Sequence, residues 1–114
     1  MKAQIMFMAV GLALTTAAAA AAQDAATIAK GQKVYAANKC TTCHSIQGKG
    51  NKKGPLDEVG SKLTADEIRA WLLHPDDMAA KSKSTRKPVM KAYDKLPKDD
   101  IEALVTYLQS LKKQ

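Results

Sequence analysis

The 114-residue chain carries 4% aromatics, two cysteines and a formal charge of +7, which leaves room for one domain with a thin core and excludes a second globular unit. Such an excess of basic residues suits an anionic membrane surface or an acidic protein. No stretch interleaves aromatic with basic residues, which argues against a platform for nucleic acid.

Residues 1–22 read as a secretory signal: Lys2 supplies the positive start, Ile5 to Leu14 is an apolar run, and Ala20-Ala21-Ala22 precedes polar Gln23. The strongly apolar part is ten residues, where a membrane-spanning helix takes roughly 20. Cleavage after Ala22 is therefore expected over retention as an anchor, leaving residues 23–114 as one domain with a formal charge of +6. No twin arginine precedes the apolar run, so export by the general route, in an unfolded state, is expected. There is no internal repeat, and strand signals are almost absent.

The first predicted helix covers residues 25–38, alanine-rich with Ile28, Val34 and Tyr35, and stops at Asn38. Directly after it comes "KCTTCHS", residues 39–45, which holds both cysteines and a histidine. Cys40, Cys43 and His44 spell C-x-x-C-H, the attachment signal of a c-type haem. On one helical turn, residues i and i+3 share a face, so both thiols reach the two vinyl groups of one porphyrin. The following imidazole then points at the iron as proximal ligand. Three other chemistries compete. A thioredoxin-like dithiol requires a sheet-bearing fold, of which the chain shows no sign. Zinc requires about four ligands, and Cys40, Cys43, His44 and distant His74 make an irregular set. A disulfide between positions 40 and 43 would close a small strained loop and stabilise little.

A connection follows, "QGKGNKKGP" over residues 47–55. The second predicted helix covers 64–74. Thr64-Ala65-Asp66-Glu67 forms its capping box, Leu63 and Ile68 its hydrophobic staple, and Pro75 its stop. The stretch "PDDMAAKSKSTRKPVM", residues 75–90, reads as a connection longer than a mere link needs. In the last predicted helix Ile101, Leu104, Val105, Leu108 and Leu111 make one apolar stripe. Pro97 falls in its first turn, and Lys112 and Lys113 lie at the negative end of its dipole. Three short helices with so few large aromatics are poorly stocked with core, and a haem would fill that deficit.

From Gly31 to the C-terminus the chain resembles the small monohaem class I bacterial cytochromes c, in the segments "GQKVYAANKCTTCHS", "GPLDEVG" and "MKAYDKLPKDDIEALVTYLQSLK". The resemblance implies an all-α fold of three to five short helices wrapped around one covalently attached haem c. It implies that Gly31 and Tyr35 let the first helix cross the last closely, against Tyr107 and Leu108. It further implies that Pro55 offers its carbonyl to His44 Nδ1, fixing the imidazole tautomer, and that Leu56 packs on the ring. Trp71 has an indole donor suited to a haem propionate, and equally a packing role.

The sixth iron ligand separates carrier from catalyst, and the candidates are Met90, Met78 and His74. The resemblance places it at Met90, opening the "M-x-x-Y-x-x-L" run before the last helix; the approach "S-T-R-K-P-V-M-K" departs from the family's usual "P-G-T-x-M-P". His74 is the sharper rival, because a second imidazole binds iron well.

With His44 and Met90 on the iron, no coordination position stays open, and the expected activity is one-electron transfer in the periplasm rather than catalysis. No convergent set of acid, base and nucleophile accompanies the motif. In the fold the resemblance implies, the segments bearing Lys81, Lys83, Arg86, Lys87, Lys91 and Lys95, and Lys49, Lys52 and Lys53, would border the haem crevice and make a positive ring that steers acidic redox partners. A monomer is expected, with a membrane-bound oxidase or reductase among the partners the resemblance allows. Two alternatives stand: an electron-transfer subunit of a larger periplasmic dehydrogenase or oxidase, and a haem catalyst or gas sensor with an open sixth position.

Overall fold

Alanine has the highest helix propensity of any residue, and its run carries the first helix further toward the N-terminus than the apolar pattern alone indicates. The computed structural model describes the backbone of residues 12–114 and the side chains from Asp24 onward. Helix α1 spans Leu12–Ala37, α2 Val59–Lys62, α3 Ala65–Leu73, α4 Pro75–Ser82 and α5 Lys98–Gln109. The described residues are all-α apart from a small antiparallel hairpin of β1 (Ser45–Ile46) and β2 (Lys49–Gly50). Residues 1–11, half of the expected leader, lie outside the described residues.

Helix α1 ends where Asn38 folds back, its Nδ2 donating to the Val34 carbonyl at 2.8 Å. Lys39 then turns left-handed at φ 54°, which starts the 3₁₀ turn Cys40–Thr42. The main packing event is α1 on α5. A Cβ at Gly31 would run into the Ala103 carbonyl and Tyr107 Cβ, so only glycine permits this approach. One turn on, the Tyr35 and Tyr107 rings meet edge to face, centroids 5.9 Å apart at 78°, a favoured aromatic geometry. This is the crossing the resemblance implies.

The α5 stripe is buried as its spacing predicts: Ile101, Leu104, Val105 and Leu108 are all in the core, and Leu104 is the most enclosed side chain at 1% exposure. Leu111 lies beyond the helix end and is half-buried against the same cluster. Pro97 is the N-cap rather than a first-turn residue. Lys112 also lies past the helix, and its Nζ donates to the Gly60 carbonyl at 2.8 Å, which docks the C-terminus on α2.

Helix α3 carries both halves of its capping box, Glu67 N–H to Thr64 Oγ1 at 3.1 Å and Thr64 N–H to Glu67 Oε1 at 3.0 Å. Ile68 and Leu72 bury its inner face. Arg69 ties it to α5 through a two-pronged contact, Nε and Nη2 each 2.7 Å from a Glu102 carboxylate oxygen. The guanidinium holds the Glu102 carboxyl below its ordinary pKa.

Pro75 does more than end α3. It is the first residue of α4, so the connection expected over 75–90 is helical in its first half. The physical reason is the first-turn preference of proline, whose missing N–H is unpaired there anyway, reinforced by Asp76 and Asp77 at the positive end of the dipole and Lys81 at the negative end.

Candidate functional site

Both cysteines sit on or beside one 3₁₀ turn. Cys43 N–H and His44 N–H both donate to the Cys40 carbonyl, at 3.1 and 2.9 Å, so one turn carries two thiols and then an imidazole. Neither thiol is in a disulfide; Cys40 is half-buried and Cys43 exposed. Burial first, and then the neighbouring Cys43, pushes the Cys40 thiol up to about 11.

His44 Nδ1 lies 3.0 Å from the Gly54 carbonyl. In the tautomer that donates from Nδ1, the ring presents a free Nε2 lone pair. The carbonyl expected from Pro55 thus comes from the preceding residue. The reason is the register of the return strand: Ser45 bridges Pro55 in parallel and takes both neighbours, its N–H donating to Gly54 O at 3.1 Å and its carbonyl accepting Leu56 N–H at 2.8 Å. That leaves the Gly54 carbonyl facing the imidazole. Burial lowers the His44 pKa, the Gly54 hydrogen bond opposes this, and the Arg86 charge lowers it further. The net effect favours neutral imidazole, the form that ligates a metal.

The segment after α4 closes over this turn. Arg86 donates from Nη2 to the Cys43 carbonyl, and its guanidinium occupies the space a Cβ at Gly54 would need. The Lys91 ammonium acts electrostatically on Cys40 and lies 5.2 Å from the centre of the Tyr93 ring. Burial, followed by the Cys40 and Cys43 charges, raises the Tyr93 phenol, while Tyr93 N–H donates to the Leu72 carbonyl at 2.7 Å. Met90 falls between Arg86 and Lys91 in the chain, is half-buried and, like Cys40, Leu56 and Tyr93, packs against the core cluster.

Met90 and His74 line one pocket of about 420 Å³, with Leu73, Pro75 and Lys91 in its wall. His74 itself is exposed, and Met78 sits on α4 outside that pocket. Trp71 is half-buried on α3 and stands apart from the core cluster; Pro55 is exposed. Sequence reasoning missed Gly54 as the imidazole's partner and Arg86 as a contact of the motif. The first was one residue from the expected carbonyl; the second carries no local signal beyond its charge.

Two unpaired thiols on one turn, an imidazole fixed through Nδ1 and a thioether on the closing segment make a donor set that fits haem. Among the described residues no three His, Cys, Asp or Glu side chains gather as a free metal ion would require. The Tyr35 hydroxyl is buried without a hydrogen-bond partner and feels Cys40 electrostatically. The family model for cytochrome c matches residues 28–112. The chain belongs to the cytochrome c family.

Membership brings covalently bound haem c and haem-based electron transfer. This cytochrome c is similar to a cbb3-type cytochrome c oxidase subunit FixP of Azorhizobium caulinodans, 38% identical over 95 residues, covering 81% of this chain and 30% of that one. It is also similar to a cytochrome c oxidase subunit 2 of Alkalihalophilus pseudofirmus, 29% identical over 92 residues, covering 73% of this chain and 25% of that one. The chain therefore spans less than a third of these relatives. No solved structure matches it.

Proposed function

We propose that this cytochrome c is a periplasmic one-electron carrier, exported with removal of residues 1–22, that holds a single haem through Cys40 and Cys43 with His44 and Met90 as its axial ligands. The observation that carries the reading is the bracketing of Met90: Arg86, Lys91 and Tyr93, on either side of it, all interact with Cys40 or Cys43. The bound haem supplies a redox centre that takes up and releases one electron. His44, steadied at Nδ1 by Gly54, presents Nε2 in a fixed orientation, so little rearranges between oxidation states. Leu56 and Met90, both packed against the core cluster, exclude water, and Trp71 offers its indole N–H to a propionate. With both axial positions taken, the reading assigns no catalysis.

Lys49, Lys52, Lys53, Lys81, Lys83, Lys87, Lys91 and Lys95 are all exposed, and they form the docking surface for acidic redox partners. Arg86 leaves that set, being engaged with Cys43. Electron transfer to the partner should slow steeply as salt is added; a flat response would remove the docking role.

The decisive experiment is the oxidised visible spectrum of the holoprotein beside its Met90→Ala variant. The weak long-wavelength band of methionine sulfur on ferric iron should be present in the parent and absent from the variant. A parent without it would put His74 or an open position first. A second reading, an electron-transfer subunit of a membrane-bound oxidase, is favoured by the names of the two relatives. Tight co-purification with a catalytic partner would select it over a free monomeric carrier.

A further inference from the structure

The segment between α4 and α5 has an uneven set of anchors. Ser84 N–H donates to the Ala79 carbonyl at 2.9 Å, and Tyr93 N–H to Leu72 at 2.7 Å. Between them, among the described residues, residues 87–92 make no backbone hydrogen bond, and 83–89 are exposed throughout. A stretch so poor in backbone bonds is ordinarily the first to open, yet it carries Met90.

Arg86 supplies what the backbone does not. Its Nη2 donates to the Cys43 carbonyl. The guanidinium lies so close to Gly54 that a Cβ there would collide with Nη1, as it would with the Cys43 carbonyl. Gly54 in turn accepts from both His44 Nδ1, at 3.0 Å, and Ser45 N–H, at 3.1 Å. One side chain thus grips the turn bearing both thiols and packs against Gly54, whose carbonyl orients the imidazole. It sits four residues before Met90 and 43 residues from the atom it binds. Hydrogen bonds from a charged donor are about twice as strong as neutral ones, and a planar fork covers a backbone surface as an ammonium cannot.

We propose that Arg86 is a positioning residue that holds the Met90 segment in ligating register by clasping the Cys43 carbonyl across Gly54. This rests on the reading of Met90 as sixth ligand. With Met90 as sixth ligand, an added ligand would have to displace its sulfur from the ferric iron, so slackening the segment would weaken the methionine and leave the remaining fold in place.

The test is titration of ferric holoprotein with imidazole, following loss of the long-wavelength band, in the parent and in Arg86→Gln, Arg86→Lys and Thr85→Ala. Thr85 is exposed and outside the clasp. Arg86→Gln should bind imidazole about tenfold more tightly than the parent, equivalent to roughly 1.4 kcal/mol. Arg86→Lys should fall between them, because it keeps the charge and loses the fork, while Thr85→Ala should match the parent. The denaturant midpoint should move little in any of them. An Arg86→Gln affinity within twofold of the parent overturns the proposal. So does an Arg86→Lys variant identical to the parent, which would assign the effect to charge alone, and so does a matching fall in global stability. If Arg86→Gln fails to assemble with haem, Arg86→Lys decides by the same criterion. A parent lacking the band overturns the Met90 reading and the clasp together, whereas an intact parent band with unchanged variants removes only the clasp.

Discussion

The two regions that meet at the candidate site are held in opposite ways. The α1–α5 crossing is fixed by contact: Gly31 brings the backbones together, Tyr35 and Tyr107 lock edge to face, and Leu104 fills the centre at 1% exposure. The Met90 segment is fixed by a few directional bonds, with Arg86 at one end and Tyr93 at the other. The difference teaches where fold stability and the hold on Met90 reside. If Met90 is the sixth ligand as proposed, stability comes from the crossing and ligand strength from the segment, and the two should be separable by mutation.

Hydrogen exchange would show the largest contrast. Amides of residues 101–108 should exchange only through global unfolding, and those of 87–92 through local opening, a gap of roughly 5 kcal/mol for a domain of ordinary stability. Equal protection in the two stretches would break the comparison. Next in size is Gly31→Val. Its side chain has nowhere to go between Ala103 and Tyr107, and overpacking at a helix crossing should cost about 3 kcal/mol in denaturant unfolding.

A smaller effect comes from pH. Burial, first, pushes the Tyr35 phenol up to about 12, with Cys40, Tyr107 and Asp57 adding to it. The neutral phenol is therefore favoured in the folded chain. Its contribution is fully present below the unfolded pKa of about 10 and is lost as pH rises from there through about 12. Tyr35→Phe should flatten this alkaline loss. At neutral pH it should cost little, because the hydroxyl has no partner among the described residues and its removal leaves nothing unpaired. A loss above about 2 kcal/mol at pH 7 would show that the hydroxyl makes a bond in the holoprotein.

What was legible in the sequence was what is local. The C-x-x-C-H turn, the Thr64 capping box and the α5 stripe each depend on residues within a few positions of one another, and each is where its spacing places it. Helix α4 was not legible, because Pro75 signals a stop and a start with the same residue and "PDDMAAKS" lacks a clear apolar face. The hairpin escaped because its turn places Gln47 at φ 54° before Gly48 at φ 77°, where asparagine or aspartate would have announced it. At the site, the order "GPL" located the carbonyl that orients His44 only to within one residue. The strand register, which depends on Ser45, chose Gly54. Arg86 was invisible for a different reason: a cation in a lysine-rich loop looks solvated until the fold brings a distant carbonyl to it.

The smallest predicted effect tests the joint between the two regions. Leu72, near the end of α3, accepts Tyr93 N–H and so passes the rigidity of the helical core to the Met90 segment. Thr64→Ala removes the α3 cap and should cost about 1 kcal/mol of stability, read in thermal or denaturant unfolding. The cap lies eight residues from Leu72, a little over two helical turns, and Arg69 clamps the helix to α5 between them. Fraying that starts at Thr64 should stop at that clamp. The variant is therefore expected to lose stability while its long-wavelength band and imidazole affinity match the parent. A weakened band would mean that α3 transmits disorder along its whole length, and that ligand strength and fold stability share one strut.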